Sequence, residues 1–402
     1  MSQITNAEPA NPDKPKPVSS LASHPLWRLG FRPFYLLAAA FAAVSVPLWV
    51  TRYVGLLPGL PRLGLAWHMH EMVFGFVIAV IIGFLFTAGR NWTGLWTPRR
   101  GHLAALAALW LAGRIAMLWA PPALAAIVDL LFLPAAAWPM YRVLQRSGNK
   151  RNLFLIGLLG LLTLVNAVFH AAVLGWLALP PASAIQAAIL IVVMIESVIG
   201  ARVIPGFTNN GAPGTKTIVH PKLDRISIAL TAAASLSWVG GLPAAAIAGL
   251  AGAAACSQLL RLGGWKPHRT LHEPLLWILH LSYAWIPIGF FLIALSALHV
   301  VPSSAAFHAL AVGSTAGLIM GMMTRTSLGH TGRPLRAGRS EVVMYLLIQA
   351  GAVARVCAAI DTSGMRLSVL VFAAVCWSAA FLLFVIVYGP YLYRARLDGR
   401  EG

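Results

Sequence analysis

The chain has 402 residues, of which 59% are hydrophobic and only 10% are charged. Soluble domains carry about 25% charged residues, so this composition argues strongly against the soluble class. The formal net charge is +19, which in a soluble protein would suggest nucleic acid as a partner.

Apolar runs follow one another along almost the whole chain and predict an all-α, polytopic transmembrane helix bundle. Residues 1–22 are rich in Pro, Asn, Lys and Ser and lack a signal-peptide core, which predicts a disordered cytoplasmic tail. Residues 23–402 are predicted to form a single transmembrane domain, because each run is long enough to cross a hydrocarbon core of about 30 Å. The runs lack the alternation of barrel strands, so the spans must be helices. The predicted spans are about 32–53, 67–88, 103–120, 122–141, 152–175, 183–204, 224–240, 243–261, 275–298, 303–324, 340–360 and 367–393.

The basic residues are distributed unevenly between the two ends of these spans. Most of the 30 Lys and Arg residues fall on one side, whereas the other side holds only Arg52, Arg62 and Arg366. Arg114 and Arg355 fall within spans. The positive-inside rule then places both termini in the cytoplasm, and the net charge needs no nucleic acid to explain it.

Ionisable residues inside the membrane are candidate functional positions, because a charge at mid-membrane costs about 2.5–3.5 kcal/mol even on insertion scales. Arg114 and Asp129 are predicted to lie at the same depth on neighbouring antiparallel helices, so we expect a structural ion pair. Glu196 has no partner near it in the sequence. It could be protonated, pair with a metal-bound histidine, or belong to a proton path.

Histidines are numerous, and the predicted topology divides them between the two faces. Neutral imidazole is the commonest protein ligand for haem iron, copper and zinc. One histidine in an apolar helix is more often a hydrogen-bonded core residue, but several at one depth favour a metal site. The outer group is His68, His70, His170, His299 and His308, and the inner group is His102, His220, His268, His272, His280 and His330.

The segment WHMHE contains two of the outer histidines. On a regular helix His68 and Glu71 share a face, whereas His70 points about 200° away from His68. The two histidines are therefore not expected to bind one metal in the same way. Either the helix start is irregular, or one histidine binds a metal while the other, or Glu71, supports it or bridges to another centre.

Two other patterns allow both a structural and a cofactor-related interpretation. Arg202, Arg325 and Arg333 can serve the positive-inside bias or bind anionic groups such as haem propionates. Small residues at four-residue spacing can serve helix packing or form a flat surface for a planar cofactor. These stripes are Gly75, Ala79 and Gly83 in the second span and Gly313, Gly317 and Gly321 in the tenth.

At these motifs the chain resembles a known family. The segments WRLGFRPFYLLAA (27–39), WHMHEMVFGF (67–76), RNWTG (90–94), ARVIPGFTNN (201–210), LLWILHLSYAW (275–285) and GMMTRTSLGHTGR (321–333) are similar to signature segments of the NnrS family. The resemblance implies a bacterial inner-membrane protein that carries haem and copper and helps cells to withstand nitric oxide.

The resemblance also ranks the candidate ligands. It favours the motif-embedded residues His68, His70, His280, His308 and His330, with Glu71 in support, and topology adds His170. If haem and copper lie towards the outer face, His68, His70, His170 and His308 form the most economical set. His280, near the inner face, would require a second centre, and the sequence does not decide between these arrangements.

The leading hypothesis is a haem and copper membrane protein that binds or transforms nitric oxide, or removes metal-nitrosyl species. Turnover would need electrons from a membrane donor, for which no docking motif is recognised, and protons, for which Glu71 and Glu196 are candidate relay residues. The alternatives are a twelve-helix secondary transporter and a sensor or assembly factor that holds metals without turnover.

Overall fold

A computed structural model describes residues 24–60 and 62–400. These residues form twelve long helices and no β-strand, which confirms the predicted all-α bundle. The predicted tail at 1–22 lies outside the described residues. The helices are α1 Phe31–Tyr53, α2 Leu65–Thr93, α3 Arg100–Trp119, α4 Pro122–Arg146, α5 Leu153–Val173, α6 Pro181–Gly211, α7 Pro221–Val239, α8 Ala244–Gly264, α9 Pro274–Ala297, α10 Ser303–His330, α11 Arg339–Ile360 and α12 Arg366–Tyr393.

Within the described residues, 11 helices are long and apolar enough to cross a membrane. The remaining helix, α7, has 19 residues and is more polar, with Lys222, Asp224 and Arg225 in its first turns. At about 1.5 Å per residue it is about 28 Å long, which is close to the thickness of the hydrocarbon core. The multi-pass architecture is therefore established, and the cytoplasmic location of both termini remains a prediction.

Proline and glycine set several helix ends. Pro122, Pro181, Pro221 and Pro274 each occupy the first turn of a helix, where the missing N–H has no acceptor to lose. Gly94 ends α2 in the left-handed region, with φ of 70°, which glycine adopts without a Cβ clash.

The first and last helices are joined by a buried arginine. Arg32 on α1 donates from Nη1 to the carbonyl oxygens of Leu392 at 2.8 Å and Arg394 at 2.7 Å. Trp377 of α12 donates to the carbonyl oxygen of Ala42, 2.9 Å away. The guanidinium thus satisfies carbonyl groups that the end of α12 leaves without helical partners.

The glycine stripes serve close helix packing. A Cβ at Gly313 would overlap the indole of Trp285 on α9, and a Cβ at Gly317 would overlap the hydroxyl of Ser282 on the same helix. Gly83 on α2 meets α1 in the same way. The stripes therefore allow close packing of helix backbones, which is the structural one of the two interpretations. These three glycines are not among the residues that line the cavities described below.

Two helices of the described chain change locally to π-helical winding. In α2 the π segment is Glu71–Val77, and in α10 it is Ala309–Ala316. The first begins directly after His70 and the second directly after His308. Such segments are rare and are frequent at functional sites, because the wider turn changes the direction of the side chains around it.

Candidate functional site

A cavity of about 400 Å³ lies between α1, α2, α6, α10, α11 and α12. Its wall is mainly apolar, with Val50, Val73, Phe76, Ile189 and Trp377 among the lining residues. Imidazole, guanidinium, amide, hydroxyl and thioether groups interrupt this wall. They belong to His68, His308, Arg355, Arg366, Gln186, Tyr53, Ser303, Ser304, Thr315, Met69 and Met72.

His68 reaches the cavity from the first turns of α2. Its ring stacks on the indole of Trp49, with centroids 4.1 Å apart and planes inclined by 16°. The Nδ1 atom of His68 is buried and has no hydrogen-bond partner among the described residues. A buried polar atom without a partner costs free energy, so the imidazole is a candidate for an additional ligand.

His308 enters the same cavity from α10. Its Nδ1 lies 2.6 Å from the carbonyl oxygen of Ser304, one turn earlier. Because a carbonyl oxygen only accepts, Nδ1 carries the proton and Nε2 carries the free lone pair. The helix therefore fixes the tautomer in which Nε2 can bind a metal.

Two arginines give the cavity a positive charge. Arg355 projects from α11 and Arg366 from the start of α12. No acidic side chain is among the described residues that line this cavity. Neither arginine was a candidate site residue from the sequence, although Arg355 lies within a predicted span, where a charge is rare. The arrangement favours an anionic ligand whose charged groups lie beside Arg355 and Arg366.

A smaller cavity of about 110 Å³, here called the narrower cavity, lies beside the first. The two share the lining residues Val77, Val192 and Thr315. Glu196, which had no evident partner in the sequence, lines the narrower cavity and accepts a hydrogen bond from Ser314 at 2.6 Å. A carboxyl group is thus placed beside an apolar space that adjoins the histidine-lined cavity.

Two of the other outer histidines, His70 and His170, belong to a separate group of buried polar side chains, here called the α2–α5 cluster. Arg114 donates from Nη1 to both carboxylate oxygens of Glu71 at 2.8 Å and from Nη2 to Asp129. The ion pair expected between Arg114 and Asp129 is therefore present, and Glu71 extends it. The cluster consists of His70, Glu71, Arg114, Asp129, Asn166 and His170.

Asp129 is the centre of this cluster. Its Oδ2 lies 3.2 Å from Nε2 of His70, 3.1 Å from Nε2 of His170 and 2.7 Å from Nδ2 of Asn166. The Nδ1 of His70 lies 3.0 Å from Oε1 of Glu71. Side chains from four successive helices thus converge on one carboxylate.

The structure separates the two histidines of WHMHE. His68 lines the large cavity, whereas His70 lies fully buried in the α2–α5 cluster. Glu71, which the sequence placed on the face of His68, contacts His70 and Arg114 instead. The π-helical segment Glu71–Val77 begins directly after these two histidines.

The inner candidates are not brought together with either group. Thr208 of α6 lies 2.8 Å from Nε2 of His280. The ring of His330 packs against Phe31, with centroids 5.6 Å apart, and its carbonyl oxygen accepts a long hydrogen bond from Arg396. Neither histidine lines one of the two cavities.

The three arginines suggested for propionates do not line the large cavity either. Arg202 donates to Asn152 at 3.0 Å. The guanidinium carbons of Arg325 and Arg333 lie 4.0 Å and 3.7 Å from the centroids of aromatic rings. These two guanidinium groups therefore already interact with aromatic rings within the protein.

A further buried polar network, which the sequence analysis did not predict, joins α6, α7, α8 and α9. Arg261 donates from Nε to Asp224 at 2.7 Å and from Nη1 to Ser197 at 3.0 Å. Tyr283 donates to Gln258 at 2.7 Å. The network pairs one buried guanidinium with one carboxylate and provides a comparison for the α2–α5 cluster.

A comparison with curated proteins finds no match to the chain. The family model described as NnrS protein matches residues 25–396. This match covers nearly the whole chain, including both cavities, the α2–α5 cluster and every candidate histidine. The chain therefore belongs to the NnrS family.

Proposed function

We propose that the large cavity binds haem and that the protein protects bacteria against nitric oxide by binding or transforming it at this haem. One observation carries the proposal: His68 and His308, from separate helices, line one cavity together with Arg355 and Arg366. Imidazoles are common axial ligands of haem iron, and arginine suits carboxylate groups.

The cavity passes three tests for haem. Its volume of about 400 Å³ is in the range of cofactor sites, which is about 300–1,000 Å³. Its walls are mainly apolar, as a porphyrin face requires. The Nδ1 of His68 lacks a hydrogen-bond partner in the part of the chain that the structure describes, and the hydrogen bond to Ser304 leaves the lone pair of His308 on Nε2.

In this proposal the protein residues orient the haem and exclude water. Ser304 and Trp49 hold the two imidazoles, and Arg355 and Arg366 bind the propionates. The apolar wall lowers the local polarity around the site. When bound, haem iron supplies the coordination of nitric oxide.

The narrower cavity gives a route for a small neutral gas, since its lining is apolar apart from a few groups. Glu196 lies along this route and is the better placed of the two relay candidates. Glu71 is held between Arg114 and His70. Reduction of two nitric oxide molecules to nitrous oxide and water would consume two protons and two electrons, for which Glu196 would relay the protons and a membrane donor would supply the electrons.

The proposal includes a location in the bacterial inner membrane with both termini in the cytoplasm. The positive-inside bias supports this orientation. Arg366, in the first turn of α12, then marks the outer end of the cavity.

Optical spectroscopy of the purified, haem-loaded protein tests the proposal. The wild type and a His272→Ala control, in which an exposed imidazole is removed, are expected to show a Soret band that changes on anaerobic addition of nitric oxide. His68→Ala and His308→Ala are expected to lose haem or change its axial ligation. Absence of haem from the wild type, or unchanged spectra in both variants, would contradict it.

Turnover is measured in the same preparation. With reductant present, consumption of nitric oxide distinguishes a catalyst from a sensor that only binds it. A transporter would retain its function without haem, so loss of protection in the His68→Ala and His308→Ala strains argues against transport.

A further inference from the structure

We infer that His70, His170 and Asp129 bind a transition-metal ion, with the amide oxygen of Asn166 as a fourth donor. This site lies in the α2–α5 cluster and shares no residue with the large cavity. The inference therefore goes beyond the proposed haem site and can fail or hold independently of it.

The donor atoms are close enough together to bind one ion. One donor atom from each of His70, Asp129 and His170 lies within 4.8 Å of the other two. The Oδ2 of Asp129 is 3.2 Å from Nε2 of His70 and 3.1 Å from Nε2 of His170. Ligands at about 2.0–2.2 Å from one tetrahedral ion are about 3.4 Å apart, so only a small expansion admits the ion.

The groups behind these donors form the second step. The Nδ1 of His70 lies 3.0 Å from Oε1 of Glu71, which is the carboxylate–histidine arrangement found behind metal ligands. Arg114 binds the Oδ1 of Asp129, and Oδ2, which accepts a hydrogen bond from Nδ2 of Asn166, is the oxygen that faces both imidazoles. Two of the three ligands are therefore oriented by a second set of charged groups.

The charge balance gives the third step. Glu71, Asp129 and Arg114 together carry one net negative charge when both histidines are neutral. A neutral imidazole has a single N–H, yet both ring nitrogens of His70 face carboxylate oxygens. A cation must lie between one nitrogen and its oxygen. A metal ion at Nε2 fulfils this requirement, and the competing occupant is a second proton.

The donor set indicates the class of ion. Two imidazoles, one carboxylate and one amide oxygen suit Zn²⁺, Fe²⁺ or Cu²⁺ better than Mg²⁺ or Ca²⁺, which take oxygen ligands. Among divalent ions such a site binds Cu²⁺ most tightly. The site is also buried, with His70 and Glu71 fully excluded from solvent, which favours slow exchange of the ion.

Metal analysis and Cu²⁺ titration of the full-length protein test the inference. The wild type is expected to bind one ion per chain in addition to haem iron. Its Cu²⁺ EPR spectrum is expected to show coupling to two imidazole nitrogens, which ¹⁵N-histidine labelling identifies. Asp129→Asn and His170→Gln are each expected to reduce Cu²⁺ affinity by about 100-fold or more, since loss of a supporting group alone costs about 10–100-fold.

Asp224→Asn is the matched control, because Asp224 is also a carboxylate bound to an arginine between helices. It is expected to leave Cu²⁺ affinity unchanged. Size-exclusion profiles and the Soret band show which variants remain folded. The labelled wild-type spectrum gives an answer even if neither cluster variant folds.

Two results would overturn the inference. One is a wild type that binds no ion beyond haem iron and gives no histidine coupling, which assigns the cation at His70 to a proton. The other is Cu²⁺ binding that survives in both folded variants. Failure of the haem proposal has a different signature, in which His68→Ala and His308→Ala keep both their haem spectrum and their Cu²⁺ site.

Discussion

The imidazole of His68 lies against the indole of Trp49, with ring centroids 4.1 Å apart. Trp49 in turn stacks on Tyr53, with centroids 5.4 Å apart. Three rings therefore form a column at the end of α1 and the start of α2. Through this column α1 orients a candidate metal ligand without supplying one itself.

Trp49→Leu is expected to leave the imidazole of His68 less firmly oriented while the haem remains bound. The imidazole loses its stacking partner and samples more rotamers, so the axial ligand field becomes heterogeneous. Low-temperature EPR of the oxidised protein is expected to show broader signals. The control Trp138→Leu removes a 59% exposed indole and should leave the spectrum unchanged. Identical spectra for all three proteins would show that the column does not orient His68.

Arg114→Met is expected to destabilise the bundle strongly. The substitution leaves Glu71 and Asp129 as buried charges without their cation, and breaking a buried pair on one side costs about 3–5 kcal/mol. Equilibrium unfolding in mixed micelles measures the loss. Arg142→Met, which removes an exposed guanidinium near Trp138, is expected to cost less than about 1 kcal/mol.

The double variant Arg114→Met/Asp129→Asn separates pairing from packing. Removing both partners also removes one uncompensated charge, so the combined loss is expected to be smaller than the sum of the single losses. Additive losses would mean that Arg114 and Asp129 do not stabilise each other in the membrane.

The sequence predicts most of the fold, because hydrophobic length and the requirement for internal hydrogen bonds leave a helical bundle as the solution. It also predicts the Arg114–Asp129 pair from depth alone. It does not predict that Glu71 joins this pair, because a regular helix places Glu71 on the face of His68. Helical periodicity specifies neither where the Glu71 side chain points between the faces of His68 and His70 nor that Arg114 of a neighbouring helix meets it.

Only part of the candidate site was accessible to the sequence. Depth placed His68, His70, His170 and His308 in one group, but the structure divides them between the large cavity and the α2–α5 cluster, because depth cannot tell which helices are neighbours around the bundle axis. Arg355 and Arg366 were therefore given no role at the site, although an arginine within a span, such as Arg355, is itself a signal. Motif membership favoured Arg325 and Arg333, whose guanidinium groups stack on aromatic rings instead.

Gly313→Ala is expected to loosen the contact between α10 and α9. An added methyl group would overlap Trp285, and overpacking of this kind costs about 1–3 kcal/mol. Gly157→Ala is the matched control, because it adds the same methyl group to α5 with no atom within 4 Å. It is expected to be neutral or stabilising by up to about 1 kcal/mol. Equal thermal stability of the two variants in detergent would contradict this account of the stripe.

Val192→Phe is expected to hinder exchange of a gas between the two cavities, provided that haem occupies the larger one. Val192 lines both cavities, as do Val77 and Thr315, so a larger side chain there fills the space between them. After flash photolysis of the reduced carbon monoxide complex, the bimolecular rebinding rate is expected to fall several-fold while the equilibrium Soret band stays in place.

Leu164→Phe, on a 59% exposed position of α5, should rebind at the wild-type rate. An unchanged rate in Val192→Phe would mean that the gas reaches the histidine-lined cavity from the lipid by another path, and that the narrower cavity serves Glu196 alone.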